Sequence, residues 1–233
     1  MATKWISPTW RMPTDTQSPA GSGNNQSKFD NYSLDFPGAT SQRISVTASD
    51  TILPDQSDPK MSISAWVYMD TSSTAGRSIF NSGKSSSGAF DYKFEIDTSD
   101  NLHFKVRTLQ FSPFYAEITG GTTISLNTWY YVTATWDGAN LNLYLNGVAD
   151  ATPVAATSFY ATSDSAPMIG ARRGGASSYY APWAGKLGQI CYFDYALSQT
   201  QIKYLFNDND TVNPTVANPQ NPMAIPGNSP IAY

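Results

Sequence analysis

Apolar positions in this chain recur mostly at every second residue, the period of a strand half-buried in a sheet. The stretch from Thr128 to Val148 shows this best. Tyr130, Val132, Ala134 and Trp136 fall on one face, and Trp129, Tyr131, Thr133 and Thr135 on the other. Asp137-Gly138-Ala139-Asn140 follows, residues that tolerate tight or left-handed backbone. Leu141, Leu143 and Leu145 then alternate against Asn142, Tyr144 and Asn146, and Asn146-Gly147 supplies a second turn. A long hairpin is predicted here.

The same period runs through Met61 to Met69, with Ile63, Ala65, Val67 and Met69 set against Ser62, Ser64, Trp66 and Tyr68. Further strands are predicted at 32–38, 43–48, 78–81, 91–96, 102–107 and 114–119, while 149–184 reads as rich in loops. Helical spacing is confined to the end. Ser198 is a good N-cap and Gln201 completes a capping box. Leu197 and Ile202 have the spacing of a hydrophobic staple, and Ile202, Leu205 and Phe206 form an apolar stripe. Strands with regular turns and one short C-terminal helix predict an all-β fold, an antiparallel β-sandwich or jelly roll. The flanks differ in composition. Residues 1–31 form a polar N-terminal arm rich in Ser, Pro, Gly and Asn; residues 208–233 form a C-terminal arm or linker with prolines at 214, 219, 222, 226 and 230. The sandwich is assigned to 32–207 between them.

Four segments carry a family resemblance. They are L-D-F-P-G at 34–38, S-I-S-A-W-V at 62–67, W-Y-Y-V-T-A-T-W-D-G-A-N-L-N-L-Y-L-N-G at 129–147, and the glycine, apolar strand, aromatic-Asp, A-L-S and short helix of 183–206. Together they resemble laminin-G-like domains of the concanavalin A-like lectin/glucanase group, with a pentraxin-like closing strand and helix. The resemblance implies a concanavalin A-like jelly roll over residues 32–207. It implies calcium as the one cofactor to consider, held at the sandwich rim by oxygen ligands that suit a hard cation. Asp70, Asp91, Asp137 and Asp164 are the scattered rim candidates. However, Gly188-Gln189 stands where the family has an acidic pair, and the loop from Gly170 to Pro182 holds no acid.

Composition narrows the function. A chain of 233 residues, 40% hydrophobic and 13% aromatic, has ample material for one large core. With 14% charged residues, a net charge of −4 and no basic stripe, nucleic-acid binding has no support. No apolar run is long enough for a signal peptide or a membrane span. Cys191 is the single cysteine, which excludes an intramolecular disulfide, and its apolar strand pattern reads as a small core residue.

Catalytic chemistry is sparse. Glycosidases of the resembled group carry closely spaced Glu and Asp on one strand, and retaining hydrolysis needs two carboxyl groups a few ångströms apart. The only glutamates are Glu95 and Glu117, and Glu95-Ile96-Asp97 lacks a third acid, so these read as a solvated strand face. His103, the only histidine, is expected to face solvent or a groove with Lys105. No enzyme is expected. A sugar site needs an exposed aromatic plate beside planar hydrogen-bonding groups; the candidate for a glycan or partner surface is Arg172, Arg173, Tyr179, Tyr180 and Trp183, with Tyr160.

Trp5, Trp10 and Arg11 mark the N-terminal arm as an assembly element, folded over its own domain or docked on a neighbouring subunit. The opening W-I-S-P-T-W-R-M-P and the single laminin-G-like unit resemble virion-associated proteins of marine phages. The expectation is a non-catalytic protein of the virion surface (capsid decoration, fibre or spike), partnered by other virion subunits, homo-oligomeric and contacting cell-surface glycans. The alternatives are a carbohydrate-binding or adhesion module of a larger surface protein and, last, a glycanase.

Overall fold

The computed structural model describes residues 33–39, 41–46, 53–83, 90–109, 114–161, 167–174 and 178–206. The strands, in chain order, are β1 (Leu34–Pro37), β2 (Ile44–Ser45), β3 (Met61–Met69), β4 (Arg77–Gly83) and β5 (Phe90–Ile96). Next come β6 (Asn101–Arg107), β7 (Tyr115–Thr123), β8 (Trp129–Trp136), β9 (Asn140–Leu145) and β10 (Val148–Ala149). Four two-residue strands, β11 (Val154–Ala155), β12 (Met168–Ile169), β13 (Arg172–Arg173) and β14 (Tyr179–Tyr180), precede β15 (Ala184–Phe193) and helix α1 (Gln199–Phe206).

Seven strands form one antiparallel sheet in the order β1-β15-β3-β8-β9-β10, with β11 also on β9; six form the other, β2-β12-β4-β5-β6-β7. The predicted hairpin is β8–β9, with Val132 opposite Leu145 and Trp136 opposite Leu141. Its turn is held by Asp137, whose Oδ1 accepts the Ala139 and Asn140 amides at 2.8 and 2.6 Å. Asn146 and Gly147 both take positive φ, 49° and 79°, as a two-residue turn into β10 requires.

The main core lies between the sheets. Ile63, Ala65, Val67, Val132, Ala134 and Trp136 on one side meet Phe80, Tyr92, Phe94, Ile96, Leu102, Phe104 and Val106 on the other, all buried. The Trp136 indole N–H, which burial would otherwise leave without a partner, donates to the Ala156 carbonyl at 2.7 Å. A second cluster lies on the far face of the seven-stranded sheet. There Phe206 of α1 packs on Trp66 and Tyr131, ring centroids 5.6 and 6.0 Å away, with Ile202 and Leu205 beside it. The capping box is formed: the Gln201 amide donates to Ser198 Oγ at 3.3 Å and the Ser198 amide to Gln201 Oε1 at 2.8 Å. Helix docking also shelters Cys191, whose thiol burial pushes up to about 11, far from thiolate chemistry.

The stretch from 149 to 184, expected as loops, contributes β11 to β14. Each is two residues long, too short to show a period. The arms, with Trp5, Trp10 and Arg11, lie outside the described residues, as does Asp164.

Candidate functional site on the six-stranded sheet

Strands β5, β6 and β7 turn Tyr92, Phe94, Leu102, Phe104 and Ile118 into the core. Period two therefore sends Lys93, Glu95, His103, Lys105 and Glu117 to the opposite face. Register sorts them into two rows across the strands. Asn81, Lys93, Lys105 and Glu117 make one; Ser78, Glu95, His103 and Thr119 make the next. Lys93 stands directly opposite Lys105, a destabilising pair on its own. The conflict is resolved sideways, since Lys93 bonds Glu95 along its own strand and Lys105 bonds Glu117 across the ladder at 2.6 Å. His103 lies between the two carboxylates, Nδ1 3.3 Å from Glu95 Oε1 and Nε2 3.3 Å from Glu117 Oε2.

This corrects the expectation of a solvated strand face. The Glu95 side chain keeps only 7% of its exposure, and Lys93 and His103 only 11% each. Burial pushes the Glu95 carboxyl up, but the His103 hydrogen bond, Lys93 and Arg172 outweigh it and hold it below the ordinary range. The Lys105 hydrogen bond, with the charges of Lys105 and His103, does the same for Glu117, against a weaker effect of burial. Lys93 is lowered by burial first, against the pull of Glu95. Among the polar atoms buried with no hydrogen-bond partner, which also include Arg173 Nε, are Glu95 Oε2 and Arg172 Nε. One can only accept and the other only donate.

Aromatic rings flank the rows. Phe90 and Tyr115 stack with centroids 4.5 Å apart; Lys93 Nζ lies 5.5 Å from the first ring and Lys105 Nζ 5.0 Å from the second. At the end of β6, the Arg107 guanidinium lies 5.0 Å from the Tyr160 ring centre and 5.8 Å from that of Phe114.

The sequence-predicted patch is only partly assembled. Arg172 and Arg173 pair with Tyr180 and Tyr179 in the β13–β14 hairpin, where Arg43 lies 3.4 Å over the Tyr179 ring and Tyr180 is 51% exposed. Arg172 also acts on Lys93 and Glu95, which joins this hairpin to the charged rows. Tyr160 stands apart from it, by Arg107. Trp183 has to be corrected: it is 0% exposed and part of the main core, its amide fixed to the Gly170 carbonyl at 2.7 Å, so it offers no face to a ligand. Missed by sequence reading were Phe90, Lys93, Arg107, Phe114 and Tyr115. For Lys93, Arg107 and Tyr115 the signal was present in the alternations Asp91-x-Lys93-x-Glu95, His103-x-Lys105-x-Arg107 and Tyr115-x-Glu117, which align these side chains on one face; Phe90 and Phe114 fall outside them.

The calcium candidates do not come together. Asp137 is spent on its turn, Asp91 is fully buried and accepts from Ser82 Oγ at 3.1 Å, and Asp70 lies 3.7 Å from Lys186. Among the described residues no three His, Cys, Asp or Glu side chains are grouped to hold a metal. These aspartates do not fit a calcium site.

Residues 38–203 match the laminin G family of the concanavalin A-like lectin/glucanases superfamily. The chain belongs to this superfamily. Among solved structures it is similar to the heptameric SAP-like pentraxin of Limulus polyphemus, with TM-score 0.57 and 16% identity over 77% of this chain and 83% of that one. It is also similar to the CBM40 of the Ruminococcus gnavus IT-sialidase bound to α2,3-sialyllactose (TM-score 0.53, 15% identity, 63% of this chain and 82% of that one). A third is the binding domain of Paraclostridial Mosquitocidal Protein 1, with TM-score 0.56 and 16% identity over 76% of this chain but 44% of that domain. No curated protein sequence matches. At these identities the likeness is one of fold, a lectin-like sandwich.

Proposed function

We propose that the chain is a non-catalytic glycan-binding module whose ligand lies on the outward face of the six-stranded sheet. The observation that carries this is the Phe90–Tyr115 ring pair beside Lys93 and Lys105, on a face that also holds the buried, unsatisfied Glu95 Oε2 and Arg172 Nε. Sugar hydroxyls, which donate and accept at once, suit a face of charged groups, while the rings take the apolar face of a pyranose. Retaining or inverting hydrolysis needs one carboxylic acid kept protonated. Here hydrogen bonds from His103 and Lys105, with the nearby cations, hold both carboxyls below the ordinary range, which supports binding over turnover. The superfamily neighbours include a carbohydrate-binding module and a toxin binding domain, which agrees with this reading.

The second part of the proposal places the module on a virion surface, joined to other subunits through the terminal arms. Its support is compositional: Trp5 and Trp10 are large apolar side chains in a polar arm, and they gain most by burial against a partner.

The test is a glycan array followed by calorimetric titration, with and without chelator. The expected outcome is chelator-insensitive binding that Tyr115→Ala weakens about tenfold or more, the worth of one good stacking contact. The variant should retain its far-UV spectrum. Failure to bind any glycan would sink the proposal, and loss of binding with chelator would put the site elsewhere.

A further inference from the structure

Resting on that glycan-binding reading, we infer that the ligand is acidic, a glycan bearing a carboxylate or sulfate that meets Arg172 and Arg107. The argument is a balance of local charge. The chain as a whole is acidic, net −4, and its average field does not attract an anion. On the outward face of the six-stranded sheet, however, Lys93 and Lys105 are already neutralised by Glu95 and Glu117. That leaves the guanidinium groups over and above a neutral floor. Arg172 and Arg107 have no ion-pair partner among the described residues.

Their surroundings favour an anion over a plain hydroxyl. Arg172 Nε is buried without an acceptor, and a buried charged donor left unbonded is costly. Arg107 gives Nε to the Leu109 carbonyl at 3.3 Å and sits against the rings of Tyr160 and Phe114. A guanidinium held against rings keeps its remaining N–H edge for a planar or tetrahedral oxyanion. Arg173, next along β13, lies 5.7 Å from the Tyr179 ring centre and also has no carboxylate partner among the described residues. The cations in excess therefore set the sign of the ligand.

The experiment titrates the full chain with one oligosaccharide in three forms: neutral, with a terminal carboxylated sugar, and sulfated. One or both acidic forms should bind about tenfold more tightly than the neutral form, the scale of one charge-assisted hydrogen bond. Which acidic form wins distinguishes carboxylate from sulfate. Arg107→Gln should erase the preference while leaving affinity for the neutral form within about twofold, since it touches neither the ring pair nor Glu95; Arg172→Gln should also erase the preference, with a loss for both forms. Arg107→Gln lies toward the rim, so it keeps the test open if Arg172→Gln fails to fold. Equal affinity for neutral and acidic forms overturns the inference and leaves the glycan reading standing. A preference that survives both substitutions overturns it as well. No binding in any arm removes both.

Discussion

At Glu95 two demands meet on one oxygen. Lys93, two residues along the strand, and His103, across the ladder, both contact Oε1, while Oε2 stays buried and unbonded. Replacing Glu95 by Gln leaves Lys93 charged and buried without its partner, which costs about 3 kcal/mol. For a domain of this size that lowers Tm by roughly 6–12 °C. The pH dependence has a definite sign. The folded carboxyl sits below its ordinary value of 4.5, so on acidification the unfolded chain takes up the proton first. The Glu95 contribution is therefore present in full above that value and lost as pH falls through the folded one. Calorimetry at pH 7 and pH 3.5 should show the gap between wild type and Glu95→Gln narrowing in acid. A gap that stays constant would mean Glu95 is not ionised in the fold. Little of this was legible from sequence, for a physical reason. Alternation shows which face a side chain takes, but only register brings His103 to Glu95 and Glu117 to Lys105. Trp183 failed for the opposite reason: one aromatic beside Tyr179-Tyr180 in an irregular stretch has no period to mark it as core.

Single elements were more legible where they were long. β3, β8, β9 and the staple and cap of α1 each combine a period with a terminal signal, and those signals agree with the packing observed. What sequence did not show is that Trp66 and Tyr131, on the polar side of their strands, need α1 as a lid. The helix has eight residues, too few to be stable alone. Its stability comes from the Ser198 cap and the Phe206 contact. Ser198→Ala should cost about 1 kcal/mol, and Phe206→Ala about 3–5 kcal/mol through lost packing and the cavity left. Urea denaturation measures both. Phe206→Ala should also shift tryptophan emission to the red as Trp66 meets water. Equal effects from the two changes would mean that α1 is held chiefly by its cap. A glycine in β15 shows a limit of another kind. Gly185 takes φ +129°, and a methyl there would run into the Tyr68 carbonyl, a constraint imposed by the neighbouring strand and invisible in one dimension.

For the whole molecule, the proposed division between sandwich and arms can be tested by truncation. Among the described residues both apolar clusters run from Phe36 to Phe206, and the superfamily match runs from 38 to 203. The proposed ligand face draws on β5, β6, β7 and the β13 hairpin, all inside those limits, while Trp5, Trp10 and Arg11 lie before them in the chain. If the arm docks on a partner, as proposed, a chain lacking residues 1–31 should keep its Tm within about 3 °C. On the proposed virion reading it should bind the same glycan with unchanged affinity and lose the proposed attachment to particles or sister subunits, read by co-sedimentation with virions and by light scattering. The alternative arrangement, with Trp5 and Trp10 folded over their own domain, predicts the reverse: a Tm lowered by the burial of two indoles and attachment unchanged. Two tryptophans bury enough apolar surface to be worth several kcal/mol together, so the two arrangements differ by more than calorimetric error. The same truncation separates a module that recognises from a module that also builds.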